Sequence, residues 1–259
     1  MSKIFVTGAT GLIGIKLVQR LKEEGHEVAG FTTSENGQQK LATVNVKAYI
    51  GDILKADTID QALADFKPEI IINQITDLKN VDMAANTKVR IEGSKNLIDA
   101  AKKHDVKKVI AQSIAFMYEP GEGLANEKTA RMDEYVVLRF GWLYGPGTWY
   151  GKDGMIYNQF MDGQVTLSDG VTSFVHLDDA VETSIQAIHF ENGIYNVADD
   201  APVIGSEFAE WYKEQLGVEP NIDIQPAQPF ERGVSNEKFK AQGGTLIYKT
   251  WKDGMNPIK

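Results

Sequence analysis

The sequence predicts an α/β protein: a doubly wound parallel sheet with a smaller carboxyl-terminal lobe. Two observations carry this. Short apolar runs alternate with helical spacings through the first half of the chain, and a glycine-rich turn joins the first run to the first helix. The bulk numbers set the frame: 259 residues, 42% hydrophobic and 24% charged, suit one large globular domain or one with an appendage.

Residues 3–7 form a short apolar strand. Residues 12–24 have helical spacing, with Leu12, Ile13, Leu17, Val18 and Leu21 on one face, and Gly25 stops that helix. Residues 27–32 and 46–50 read as the second and third strands, the latter closed by Gly51-Asp52. Residues 58–66 are helical, and 69–74 form a buried strand after Pro68. A long helix is expected over 86–103, with Val89, Leu97, Ile98 and Ala101 inward. Residues 108–113 and 135–140 are the fifth and sixth strands. Such short, continuously apolar strands belong in a parallel sheet covered on both faces.

After Tyr144-Gly145-Pro146-Gly147 the rhythm breaks, and glycine, aspartate and aromatics dominate to residue 170. Strands are expected at 173–176 and 194–197, and helices at 178–189 and 206–216. Pro220, Pro226 and Pro229 mark loops. Residues 1–147 and about 173–200 are therefore assigned to the sheet domain. About 148–172 and 201–259 are assigned to a smaller substrate lobe over the sheet's carboxyl edge.

Composition narrows the function. No apolar run approaches the roughly 20 residues of a membrane span. The chain opens directly into a strand without a leader, so a cytoplasmic home is expected. No cysteine is present, which excludes disulfides, thiolate metal sites and cysteine nucleophiles. A formal net charge of −9 counts against a nucleic-acid footprint. It leaves room for a small anionic ligand, because a nest of backbone N–H groups binds phosphate whatever the overall charge.

The turn Thr7-Gly8-Ala9-Thr10-Gly11-Leu12-Ile13-Gly14 follows a strand and opens a helix, the context in which this spacing carries meaning. Gly8 permits the tight turn, Gly11 lets backbone approach a pyrophosphate, and Gly14 lets the helix pack on the sheet. Free N–H groups at the helix start then face the phosphates. Gly8, Thr10, Gly11, Leu12, Ile13 and Gly14 are accordingly expected to hold a dinucleotide on a Rossmann-type domain.

With these residues the chain resembles the extended short-chain dehydrogenase/reductase superfamily, in particular its NAD-dependent epimerase/dehydratase group. TGATGLIG is similar to that group's form of the glycine turn. Further resemblances are Gly51-Asp52, Asn96-Leu97 within EGSKNLIDAAKK, Leu138-Arg139 through Tyr144-Gly145-Pro146-Gly147, Phe174-Val175-His176-Leu177-Asp178-Asp179, and Gly193-Ile194-Tyr195-Asn196-Val197. They span nearly the whole chain. The resemblance implies that Asp52, followed by Ile53, lies near the adenine. It implies an NAD(P)-dependent oxidoreductase acting on a nucleotide-sugar or small carbonyl substrate, or a catalytically silent NAD(P)-binding protein of the same fold.

The end of the second strand reads the adenosine ribose, where an acid favours NAD and a cation accommodates the NADP phosphate. Here stand Thr32, Thr33 and Ser34, with Glu35 one step on and Lys40 further along. The absence of a carboxylate at 32–34 tips the expectation slightly to NADP, with NAD left open. Gln74 and Thr76, after the fourth strand, are expected beside the nicotinamide ribose or the substrate.

The resemblance also implies a Tyr-x-x-x-Lys pair on the helix after the fifth strand, where the lysine charge lowers the phenol pKa. The segment between Ser113 and Tyr135 departs from this pattern. Its one tyrosine, Tyr118, is followed four residues later by Glu122. Two explanations stand: a member that lost the pair, or one in which some twenty residues near Lys128–Arg131 are absent. Ser113 is the best candidate for a substrate-facing hydroxyl, with Tyr118 a weaker catalytic candidate. Alignment one step later, at Ile114, would remove Ser113 from that role.

His176 is expected to be structural, and Asp178 and Asp179 to cap a helix start. Arg139, Trp142, Tyr144, Trp149 and Tyr150 surround the glycine loop. They serve either substrate stacking or the joint between lobes. Arg232, beside Ser235-Asn236, falls where the family contacts a nucleotide-sugar phosphate. The shortness of the segment after the fifth strand implies a monomer or weak homodimer.

Overall fold

A computed structural model describes residues 1–76, 83–115, 124, 135–256 and 258. The chain forms two compact units: Met1–Gln112 with Ser184–Phe190, and Ser113–Thr183 with Glu191–Lys259.

In the first unit, β1 (Lys3–Thr7), β2 (Glu27–Thr32), β3 (Lys47–Ile50), β4 (Ile70–Asn73) and β5 (Lys108–Ile114) alternate with helices. With β6 (Val136–Phe140) and β11 (Gly193–Val197) they make a seven-stranded parallel sheet, in the order β11-β6-β5-β4-β1-β2-β3. The predicted α/β class is correct. The strand order reverses direction between β1 and β4, which opens a crevice at the carboxyl edge.

Helix α1 (Leu12–Glu23) buries Ile13, Gly14, Leu17, Val18 and Leu21. Leu12 departs from the expected apolar face and is 42% exposed, since it begins the helix beyond the sheet edge. Helix α2 (Glu35–Thr43) is absent from the sequence reading. Its sequence ENGQQKLAT anchors only through Leu41 and Gly37, and Ser34 caps it by accepting from the Gly37 N–H at 3.1 Å. Helix α3 (Ala56–Phe66) buries Ile59, Ala62, Leu63 and Phe66.

The helix expected over 86–103 is interrupted. Helix α4 (Met83–Lys88) leads into a π-helical turn at Val89–Gly93, and α5 (Ser94–Lys103) follows. Gly93 lies against Ile53, which a Cβ would strike at 2.7 Å. Of the four residues expected inward, Leu97 and Ala101 are buried, while Val89 and Ile98 are half-buried. Under the sheet, Phe5 contacts Phe31, Tyr49 and Phe66 with ring centroids about 6 Å apart.

The second unit contains β7 (Trp142–Tyr144), α6 (Met155–Met161), β8 (Gln164–Ser168), β9 (Val171–Thr172) and β10 (Phe174–His176). Helix α7 (Leu177–Gln186) follows, its last residues from Ser184 belonging to the first unit, then β12 (Val203–Ile204), α8 (Gly205–Leu216), β13 (Asn221–Gln225), α9 (Glu237–Ala241) and α10 (Trp251–Met255). Small sheets pair β7 with β10, β9 with β12 and β8 with β13. An aromatic core joins α6, β8, α8 and α10, with Trp251, Phe160, Phe174, Phe208 and Tyr212 almost fully buried.

Asp179 differs from its expected helix-capping role. Its carboxylate is buried and accepts from the backbone N–H groups of Ile247 (2.5 Å) and Tyr248 (3.2 Å), fastening the approach to α10. Burial raises its pKa to about 6. His176 packs beside it, its Nδ1 accepting from the Asp178 N–H at 3.1 Å.

Candidate functional site

The glycine turn has the features a pyrophosphate requires. Gly8 adopts φ +66°, and a Cβ there would lie 2.6 Å from the Gln74 carbonyl. A Cβ on Gly14 would lie 2.8 Å from Ala9 Cα, so only glycine lets α1 sit this close. Gly11 is the N-cap of α1 and supplies no side-chain hydrogen bond, which leaves the first amides of the helix available. Gly11 and Leu12 are exposed, Ile13 and Gly14 buried, and Thr10 half-buried.

Strand register builds a row around this turn. Thr7 pairs with Asn73 and Asn73 with Ala111, so Gly8, Gln74 and Gln112 follow at one level of the carboxyl edge. Thr7 Oγ1 donates to Asn73 Oδ1 at 2.6 Å and Asn73 Nδ2 to Ser94 Oγ at 3.2 Å, which ties the row to α5. The Gln74 side chain does not reach outward as expected. It is 5% exposed and its amide donates to Ser184 Oγ at 3.1 Å, because the strand end turns it into the layer between sheet and α7. Thr76 is exposed.

At the other end of the row, Thr32 is buried against Gly37, while Thr33 and Ser34 are exposed. Asp52 is half-buried and accepts from the Leu54 N–H at 3.0 Å. Ile53 is 3% exposed and serves the core, its carbonyl accepting from Asn96 Nδ2 at 2.9 Å. Only its backbone remains near the edge.

In the second unit a small open cleft of about 70 Å³ is lined by Gly141, Trp142, Ser173, Phe230, Arg232 and Gly233, among others. Two predicted substrate residues, Trp142 and Arg232, meet in it. Trp149 stands behind Trp142 with ring centroids 6.0 Å apart. Tyr144 does not belong there: it is fully buried between Phe174 and His176. Burial first, and then Asp199 and Asp179, push its phenol far above the ordinary range. Arg139 is half-buried on β6 and does not line the cleft. Ser173, Phe230 and Gly233 had no signal in the sequence, since only the pairing of Val171 with Arg232 brings the two loops together.

Ser113 is half-buried near the end of β5, and Tyr118 lies outside the described residues. Of the nine tyrosines only Tyr248 has a lysine four residues on, Lys252. That pair does not share a helix. Tyr248 precedes α10 and packs on His176, whereas Lys252 sits over the Trp251 ring. Among the described residues no group of three or more acidic or histidine side chains is placed to hold a metal ion.

The doubly wound sheet, the glycine turn at its switch point and the register row define a dinucleotide-binding α/β protein. Comparison with known proteins makes the class specific. Residues 4–135 match the NAD dependent epimerase/dehydratase family, and the chain belongs to it. A 3-diazoavenalumate denitrifying reductase from a Streptomyces species is 28% identical, over 98% of this chain and 99% of that one. That alignment runs over 304 positions against 259 residues here, so the relative carries segments with no counterpart in this chain. The Thermus thermophilus UDP-glucose 4-epimerase in complex with NAD superposes with TM-score 0.79 at 23% identity, covering 99% of this chain and 97% of that one. The Thermotoga maritima UDP-glucose 4-epimerase with UDP-glucose gives 0.81 at 20% identity, again covering 99% and 97%. No helix among the described residues is long and apolar enough to cross a membrane.

Proposed function

We propose that this protein is an NAD(P)-dependent oxidoreductase that exchanges a hydride with a nucleotide-sugar or small carbonyl-like substrate. The intact turn carries the reading: glycines at 8, 11 and 14, uncapped helix amides, and backbone approach that a Cβ would block. When bound, the nicotinamide supplies or accepts the hydride. The chain's own residues bind and orient: the α1 amides take the pyrophosphate with Thr10 beside it, and Asp52 lies toward the adenine. Ser113 offers a hydroxyl at the end of β5. Trp142 and Arg232 in the cleft, with Trp149 behind, suit a flat or phosphorylated substrate, and the lobe of residues 148–172 and 201–259 carries it.

The reductive direction is favoured. Epimerisation and dehydration need an acid–base group to move protons on the substrate. The Tyr248 and Lys252 positions are engaged elsewhere. Hydride addition to a carbonyl carbon leaves an alkoxide that takes up a single proton, which water or the Ser113 hydroxyl delivers without such a pair. The similarity to a full-length reductase points the same way.

NADP(H) is proposed over NAD(H). Exposed Thr33 and Ser34 lead into α2 with no carboxylate at 32–34 to repel a 2′-phosphate, and Lys40 lies on the same helix.

Calorimetric titration with NADP⁺, NADPH, NAD⁺ and NADH tests the binding, and cofactor oxidation against a carbonyl and nucleotide-sugar panel tests the chemistry. The expected result is micromolar binding, tighter for the phosphorylated pair, with NADPH-consuming turnover. Binding without turnover across the panel would favour the silent cofactor-binding reading. Failure to bind either cofactor would overturn both.

A further inference from the structure

We propose that Arg90 recognises a carboxylate on the substrate, so that the substrate is an organic acid. The inference rests on the reading that a dinucleotide lies over the glycine turn.

Arg90 stands inside the π-helical turn at Val89–Gly93. Such turns inside helices are frequently found at functional sites. Its guanidinium points to the end of β5, where Nη2 donates to the Gln112 carbonyl at 3.4 Å. A guanidinium has five N–H donors. Among the described residues this long bond is its recorded partner, and no carboxylate lies within ion-pair distance. The group is partly buried, and burial lowers its pKa, with no opposing charge among the described residues to raise it. A half-desolvated cation without an anion is costly, and a ligand anion would relieve that cost.

Position decides which anion. Gln112 shares the edge row with Gly8 and Gln74, two strands away from the phosphate turn, or about 10 Å. The cofactor's phosphates lie at the turn and toward the β2 end. The nicotinamide end carries no negative group. An anion at the β5 end therefore belongs to the substrate. The planar fork of arginine matches a carboxylate through two parallel hydrogen bonds.

Calorimetry on the NADP⁺-saturated protein tests this with benzoate, benzamide and phenylphosphonate as probes. Benzoate should bind at least tenfold more tightly than benzamide. Arg90→Gln should weaken benzoate at least tenfold, leaving NADP⁺ and benzamide affinities within about threefold. Arg90→Lys, which keeps the charge and the fold but loses the fork, should fall between. Rising ionic strength should weaken benzoate and not benzamide. The proposal is overturned if benzoate binds Arg90→Gln as well as it binds the unaltered protein, or does not bind the latter. Tighter binding of phenylphosphonate than benzoate would also overturn it, making the anion a phosphate. Loss of NADP⁺ binding by the unaltered protein, read in the first titration, would overturn the cofactor reading and this inference with it. Arginine-independent benzoate binding overturns this one alone.

Discussion

At the scale of single residues, small side chains decide what the carboxyl edge can hold. Gly8 combines a left-handed backbone with the Gln74 carbonyl standing where a Cβ would need room. Gly8→Ala meets both obstacles, so the turn must open to accept it. We expect a stability loss of about 1–3 kcal/mol and at least tenfold weaker cofactor binding. Urea denaturation and calorimetry check the two effects separately, and unchanged affinity would remove Gly8 from the cofactor site. Residue identity alone made this turn legible, because the three glycines recur every third residue within one short segment. Tyr144 and Gln74 show the converse. Both sit in the expected segments, yet the side chains turn inward, and only packing determines that.

At the scale of elements, the segment leading into α10 is held by two buried carboxylates. Asp179 grips Ile247 and Tyr248, and Asp199 accepts from the Ala201 N–H at 3.1 Å and from the backbone N–H of Trp251 at the start of α10. Burial raises Asp179 to about 6 and Asp199 to about 7, with Asp200 and Asp179 adding to the latter. Both folded values exceed those of an unfolded chain. The folded state thus binds more protons through this window, and stability is greatest below the unfolded values and is lost as pH rises through 6 to 7. Stability at pH 5.5 should exceed that at pH 8 by about 1–3 kcal/mol in urea titrations. Asp199→Asn should flatten most of that slope; an unchanged slope would refute the assignment. Helices α1 and α3 were legible because their apolar spacing is strong. Helix α2 was not, since nine mostly polar residues need only Leu41 and a serine cap to dock. The π-helical turn was also invisible, because one extra residue barely disturbs a helical pattern, and a lone arginine within it reads as surface.

At the scale of the whole molecule, the alternation of strands and helices was sufficient to identify the sheet and its class. The second unit was harder to read. Its strands are two to five residues long, and its core gathers aromatics from distant segments, such as Phe160, Phe208 and Trp251. Periodicity has no purchase on elements that short. The same scale bears on self-association. The outer face of α4, the π-helical turn and α5 presents Lys88, Glu92, Lys95 and Asp99, all exposed, around the large exposed apolar side chain of Ile91, with Lys95 and Asp99 paired at 2.8 Å. A charged face of this kind is a poor isologous interface. We therefore predict a monomer, or a dimer that dissociates in the micromolar range. Light scattering over a dilution series checks this, and a dimer surviving at nanomolar concentration through that helix pair would refute it.

The central place of β1 has a consequence for the chain as it is made. One edge of β1 pairs with β2, beginning at Lys3 with Glu27, but the other waits for β4, where Ile4 meets Ile70. At about 5–20 residues per second, the ribosome needs roughly 2–9 s to deliver the second partner after the first. Throughout that interval Ile4, Phe5 and Val6 form an open apolar border on the nascent chain, the kind of edge that recruits foreign strands. Slow codons between the two partners would prolong this exposure. Faster translation of residues 27–70, or a chaperone covering the first strand, should raise the yield of soluble protein.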